Sequence, residues 1–304
     1  MQSLHLERIL VAVADPAARR NAAVKRAAEL AHRTGASVEL FNALRLPGLA
    51  DGLGGFGSQL LVTAIEANRA ALDRMARPLR REEIRVETTV QHAEVVHEAI
   101  LRRARRMEAD LIIIEERKHG QFARALLRQT DFELIRRSPV PLLIVKGTKA
   151  WRAPRVLAAI DPFHAHDKPR ALDARIVAAA GGFAKTLGGA LHAAYVYWPL
   201  AESFPNVVIE PTVMAVTPAQ VKTYESELRK RFGQSVGEYG IGPKNRHLRR
   251  GDPALELELL VRALKIRLLV MGAVSRSGLK QLFIGHTAER VLDNVSCDVL
   301  IVKP

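Results

Sequence analysis

One cysteine, Cys297, occurs in 304 residues. A single thiol excludes an intrachain disulfide framework and fits a reducing compartment. Aromatic residues make up 5% of the chain, too few for the stacking platforms that usually hold single-stranded nucleic acids. No apolar run approaches the length of a membrane span. The first residues, Met1 to Arg8, lack the basic start, apolar stretch and small-residue cleavage site of a signal peptide. The sequence therefore predicts a cytoplasmic protein with no membrane span. No nucleophile stands at a recognisable spacing from a base, and there is no paired-carboxylate motif. An enzymatic reaction thus finds no support.

Positive charge is abundant. The formal net charge is +14. Residues 1–150 hold 25 basic and 18 acidic side chains, and residues 151–304 hold 21 and 14, an excess of seven in each half. With no basic tail or arm, this reads as a solvated basic surface and not as a specific nucleic-acid site.

The apolar pattern alternates between strands and helices. Ile9 to Ala14 is a continuous apolar run, the mark of a strand buried on both faces in a parallel sheet. It ends at Asp15-Pro16, and a helix is expected from about Ala17 to Thr34, stopped by Gly35. Strands are expected at Ser37–Ala43, Ile84–Gln91, Leu111–Ile114 and Val140–Val145. Helices are expected at Gln59–Arg81, after a glycine-rich loop, at Glu94–Met107 and at Thr130–Arg137.

The second half repeats this order. Val156 to Ile160 ends at Asp161-Pro162, as the first strand ends at Asp15-Pro16. The last part of each half aligns without a gap. Glu115 falls under Gly272, Thr130 under Thr287, and Ile144-Val145-Lys146 under Ile301-Val302-Lys303. Two domains follow, 1–148 and 149–304. Each is an α/β unit with a doubly wound parallel five-stranded sheet. Ligands of such sheets sit beyond the carboxyl ends of the strands, where strand order reverses.

In the second half that place is taken by Gly272-Ala273-Val274-Ser275, nine residues, then Gly285-His286-Thr287. Glycines let backbone amides approach an anion where a chain enters a helix. With Asp161 closing the first strand, Gly251-Asp252-Pro253 opening a helix and the duplication itself, these residues resemble the universal stress protein family. Within it they look most like the tandem E-type members.

The resemblance implies a flavodoxin-like or adenine nucleotide alpha hydrolase-like sheet with strand order 3-2-1-4-5. It implies a stress-response role. It also implies fifth strands that pair, either within one chain as an intramolecular pseudo-dimer or between copies as a homodimer. Carried over by position, Asp161 and the Tyr195-Val196-Tyr197 segment would flank an adenosine. Gly272, Ser275, Arg276, Gly278, Gly285, His286 and Thr287 would surround its phosphates. ATP or another adenine nucleotide is the implied ligand, weakened by Ser275 in place of a glycine and by His286 in place of Ser/Thr. A glycine loop kept only for a tight turn stays open beside it. In the first half Glu115, Lys118, Arg128 and Gln129 replace the glycines and the hydroxyl, so that half is expected to bind no nucleotide.

Lesser candidates complete the reading. Asp161, His164, His166 and Asp167 carry metal-ligand chemistry at a spacing that matches no closed site. Arg102, Arg103, Arg105 and Arg106 read as a solvated helix face, and Cys297 as an inert core thiol. The apolar loop Pro199 to Val216 suggests a lining for an apolar or lipid-like ligand, or a packing surface. The leading expectation is a non-enzymatic protein that senses or sequesters a small molecule in its second half. An ATP-binding switch or weak ATPase and an interaction scaffold are the alternatives.

Overall fold

Ile9, Leu10 and Val11 are inaccessible to solvent, as their unbroken apolar run requires. They form β1 (Arg8–Ala12) at the middle of a parallel layer. A computed structural model describes residues 4–46, 54–116, 130–163, 171–198, 217–273 and 286–303.

Strands β2 (Ser37–Leu44), β3 (Val86–His92), β4 (Leu111–Glu115) and β5 (Leu142–Val145) complete the first half. The second half holds β6 (Arg155–Ala159), β7 (Ala190–Tyr197), β8 (Arg246–Arg250), β9 (Leu268–Gly272) and β10 (Asp298–Val302). The ten strands among the described residues form one sheet, ordered β3-β2-β1-β4-β5-β10-β9-β6-β7-β8. Each half therefore runs 3-2-1-4-5, as expected. All pairings within a half are parallel. The junction pairs β5 with β10 antiparallel, Leu143 opposite Leu300.

Helices cover both faces. One apolar core gathers residues of α1 (Ala22–Thr34), α2 (Gly54–Arg81), α5 (Ala171–Thr186) and α6 (Pro218–Gly237). The other gathers α3 (Val96–Arg106), α4 (130–137), α7 (Pro253–Ala263) and α8 (His286–Asn294). Both cores run through the two halves. The alternation along each strand decides which side chain joins which core: Ile9 and Val11 enter the first, Leu10 and Ala12 the second.

Two helix starts differ from the sequence reading. α1 begins at Ala22, five residues later than expected, because Asn21 supplies the cap: its Oδ1 accepts from the Val24 amide at 2.9 Å. Asp15 instead closes a turn, accepting from the Ala17 amide at 3.0 Å. α2 begins at Gly54, five residues earlier than expected. Its first turn is thus built from residues whose glycines read as loop.

The two halves are joined by charge as well as by strands. Arg26 of α1 is 3% exposed. Its guanidinium lies 4.0 Å over the Trp151 ring. It bonds Glu29, the Lys149 carbonyl at 3.0 Å and the Asp298 carboxylate of β10 at 2.7 Å. Asp298 also accepts from the Lys146 and Gly147 amides. Two lysines cross the junction in opposite senses. Lys146 Nζ bonds the Leu292 carbonyl near the end of α8, and Glu116 at 2.9 Å. Lys303 Nζ bonds the Arg136 carbonyl near the end of α4 at 2.7 Å. Each amine thus meets the negative end of a helix belonging to the other half. Burial lowers the Lys303 amine to about 8.

At the far edge, His192 Nδ1 and His247 Nε2 lie 3.0 Å apart on β7 and β8. Their ring centroids are 5.3 Å apart at 20°. A nitrogen–nitrogen distance that short beside a centroid distance that long sets the rings end to end. One neutral imidazole donates to the other. Burial lowers both, His247 to about 4, helped by its partner and by Arg249. Because the folded protein binds these protons less readily than the unfolded chain, stability is full above the ordinary value of 6.5 and falls as pH drops toward about 4. The expected loss is about 1–2 kcal/mol after allowing for partial solvent screening. Urea unfolding at neutral and acid pH checks it, with a His192→Phe, His247→Leu double variant showing a shallower pH slope than the parent.

Candidate ligand crevice

At the carboxyl ends of β1 and β4 the first half of the sheet opens onto a cavity of about 1120 Å³. This is the point where strand order reverses. Its apolar lining includes Ala12, Phe41, Ile100, Ile114, Ile135 and Ile144. β1, β2, β4 and β5 supply the strand residues, α3 and α4 the helical ones. Leu292 and Asp293 of α8 add a wall from the second half.

The polar lining is built from the end of β2 and the loops around it. Asn42 is buried in the run Val38 to Leu44. Its amide nitrogen donates to the Val13 carbonyl at 2.8 Å, and its oxygen accepts from Asn68 of α2 at 3.0 Å. This network fixes how β1, β2 and α2 meet at the mouth. Glu94, Glu115, Glu116 and Asp131 line the same space, with Arg45 and His97. His97 Nε2 lies 3.1 Å from Arg137 Nη1. A guanidinium only donates, so that nitrogen holds a lone pair and the ring is neutral. Burial, followed by opposing charge effects of Glu133 and Arg137, lowers its pKa.

In the second half, Asp161, Tyr195, Val196, Tyr197 and Gly272 all lie toward the carboxyl ends of β6, β7 and β9. Asp161 Oδ1 accepts from the Phe163 amide at 3.3 Å. Tyr195 and Tyr197 are buried among aromatic neighbours on the α5–α6 side. Phe163 and Phe232 lie 5.1 and 6.2 Å from Tyr195, and Tyr224 lies 6.4 Å from Tyr197. The Tyr197 hydroxyl donates to Glu225 at 2.8 Å. Burial, then that carboxylate, pushes its pKa up to about 12. Val196 packs on the opposite face. A Cβ on Gly272 would stand 2.7 Å from Leu172 Cδ2 and 3.2 Å from Ile176 Cδ1. Helix α5 therefore crowds this position whether or not an anion binds, and a side chain here would have to displace Leu172.

Ser275, Arg276, Gly278 and Gly285 lie outside the described residues, as do His164, His166, Asp167 and the loop 199–216. His286 and Thr287 open α8, of which the backbone alone is described at these two positions. A cavity of about 470 Å³ in this half is lined by Ile160, Phe163, Asp173, Arg231 and Tyr239 among others, between α5 and α6. Among the described residues no three His, Cys, Asp or Glu side chains gather as a metal site.

Two of the lesser candidates are decided by the structure. Cys297 is buried, its thiol pushed up to about 12 by burial and then by Asp298, and is an inert core group as expected. Arg103 departs from the solvated face assigned to its run. Its Nε lies 2.7 Å from the buried Glu39 of β2, tying α3 to the sheet. Sequence reasoning places a crevice at the strand-order reversal of each half but expects no nucleotide in the first, and it names none of the first-half lining as a ligand site. The one signal of that lining was Asn42, a polar residue inside an apolar strand.

A duplicated doubly wound arrangement with a crevice at the strand-order reversal defines the class, a tandem α/β protein. The universal stress protein family model matches residues 5–146 and again 154–303, and the chain belongs to that family, with its domain in two tandem copies. It is 25% identical over 262 residues to the universal stress protein E homolog of Haemophilus influenzae, covering 81% of this chain and 79% of that one. It is 28% identical over 206 residues to universal stress protein E of Escherichia coli K12, covering 64% of this chain and 61% of that one. Among solved structures, a functionally unknown protein from Pseudomonas aeruginosa PAO1 superposes with a TM-score of 0.74 at 25% identity, over 98% of this chain and 93% of that one. A universal stress protein from Archaeoglobus fulgidus matches at 0.66 and 17% identity, over 98% and 97%; that likeness speaks to the fold alone. Among the described residues no helix is long and apolar enough to cross a membrane.

Proposed function

We propose that this stress-response protein is cytoplasmic and non-enzymatic, and that it binds a small molecule in its first-half crevice. The observation that carries the reading is the cavity of about 1120 Å³ at the strand-order reversal, with an apolar floor and a polar rim. The sequence reading put the ligand in the second half. Of the two cavities described above, the one in the first half has the greater volume, and Gly272 has a packing reason of its own. The non-enzymatic part draws support from the lining. Its described residues include no serine or cysteine, and the neutral imidazole of His97 is already engaged by Arg137. The antiparallel β5–β10 pairing supports reading the two halves as an intramolecular pair.

Native mass spectrometry of the protein purified from its own cell tests the binding. A co-purified small mass is expected, and it should be missing from an Ala43→Trp variant whose new side chain occupies the cavity. Equal retention by that variant, or no bound mass at all, would count against the crevice. Phosphate release from ATP should stay at the blank rate.

A further inference from the structure

The described lining of the crevice is opposite in sign to the chain's net charge of +14. Among the described residues five carboxylates line the crevice, Glu94, Glu115, Glu116, Asp131 and Asp293, against one guanidinium, that of Arg45. Glu116 is answered by Lys146 at 2.9 Å, and Asp131 and Asp293 have partners of their own, so Glu94 and Glu115 are the carboxylates a ligand would meet. His97 brings no positive charge, because its Nε2 accepts from Arg137. Asn68 spends one N–H of its amide on Asn42, and its oxygen is an acceptor open to a donor on the ligand. Beneath this rim the floor is apolar, with Ile100 and Ile114 from α3 and β4 and Leu292 from the other half's α8.

We propose that the first-half crevice takes an organic cation, an amine or quaternary ammonium group carried on an apolar body, with the head at Glu94 and Glu115 and the body on the apolar floor. This rests on the crevice being a ligand site. A phosphate-bearing ligand is disfavoured there, since like charges brought together in a partly desolvated site repel strongly. A cationic head gains from the same two carboxylates, and its apolar body gains from leaving water. The wall from α8 makes the site a product of both halves. A ligand bound there touches the element that Lys146 caps. The basic segment Arg117 to Arg128 follows in sequence and lies outside the described residues.

Calorimetry on the full chain uses three probes of one tail length below micelle formation: decyltrimethylammonium, decanoate and the uncharged decanediol. The cation is expected to bind at least about tenfold tighter than the anion, the scale of one charge contact in such a site. A Glu94→Gln, Glu115→Gln variant should lose about that factor for the cation and leave decanediol unchanged. Ala43→Trp should abolish all three, with circular dichroism confirming that both variants fold. Decanoate binding as well as or better than the cation overturns the proposed ligand class and leaves the crevice standing. Failure of all three probes to bind overturns the crevice itself.

Discussion

Arg26→Met is expected to destabilise the protein by about 3–5 kcal/mol, the cost of leaving a buried charge without its partner. The substitution keeps an unbranched side chain against Trp151, so the loss reports chiefly on charge. Asp298 is then stranded. Burial already pushes its carboxyl up, and Arg26 is the largest influence holding it down. Urea unfolding of the parent, the single variant, Asp298→Asn and the Arg26→Met, Asp298→Asn pair forms a double-mutant cycle. The pair should recover more than half the loss, because asparagine keeps the acceptor that takes the Lys146 amide at 2.8 Å. Strictly additive losses would mean that Arg26 and Asp298 do not support one another. Since Arg26 belongs to α1 and Asp298 to β10, the cycle also measures how firmly the halves hold.

Gly189→Ala carries the second large effect. A Cβ there would stand 2.0 Å from the Pro154 carbonyl oxygen and 2.9 Å from its nitrogen. Both are backbone atoms and cannot rotate aside. The same carbonyl accepts from the Ala190 amide at 3.0 Å, so relieving the clash pulls apart the first rung between β6 and β7. A loss of about 3 kcal/mol, the upper end of overpacking costs, is expected in thermal or urea unfolding. Gly240→Ala is the control. Gly240 has a φ of +73° with nothing within 4 Å of a built Cβ, so only backbone strain is added, at about 1 kcal/mol. Equal losses at the two positions would refute the close-approach argument for Gly189.

The strands were legible because parallel strands buried on both faces must be apolar without interruption. Ile9 to Val13 and Leu111 to Ile114 read that way and are buried. The strand order was legible through the duplication and the family resemblance. Helix starts were less so. Capping is a choice among nearby polar residues, and the choice of Asn21 over Asp15 depends on where the chain leaves β1. Arg26 and Arg103 looked like surface arginines. Their partners, Asp298 and Glu39, lie far away in sequence, and no local pattern announces them. Gly272 was read as a phosphate glycine, whereas its crowding by Leu172 and Ile176 appears only once α5 is laid on the sheet. The crevice was the least legible part. Open space is a property of what fails to meet in three dimensions, and Glu115 had been read as a lost glycine instead of as part of a rim.

The exchange of Lys146 and Lys303 across the β5–β10 seam has a consequence for dilution. Were the two halves separate molecules, their pairing would weaken as the protein became scarce. Joined through the short segment from Val145 to Arg155, they meet at an effective concentration set by the tether, on the order of millimolar. The seam then stays closed at any abundance of the chain. Selection no longer has to keep two identical surfaces matched to themselves. Each half is free to change its loops, one keeping glycines and the other acquiring carboxylates, while the other holds it in place.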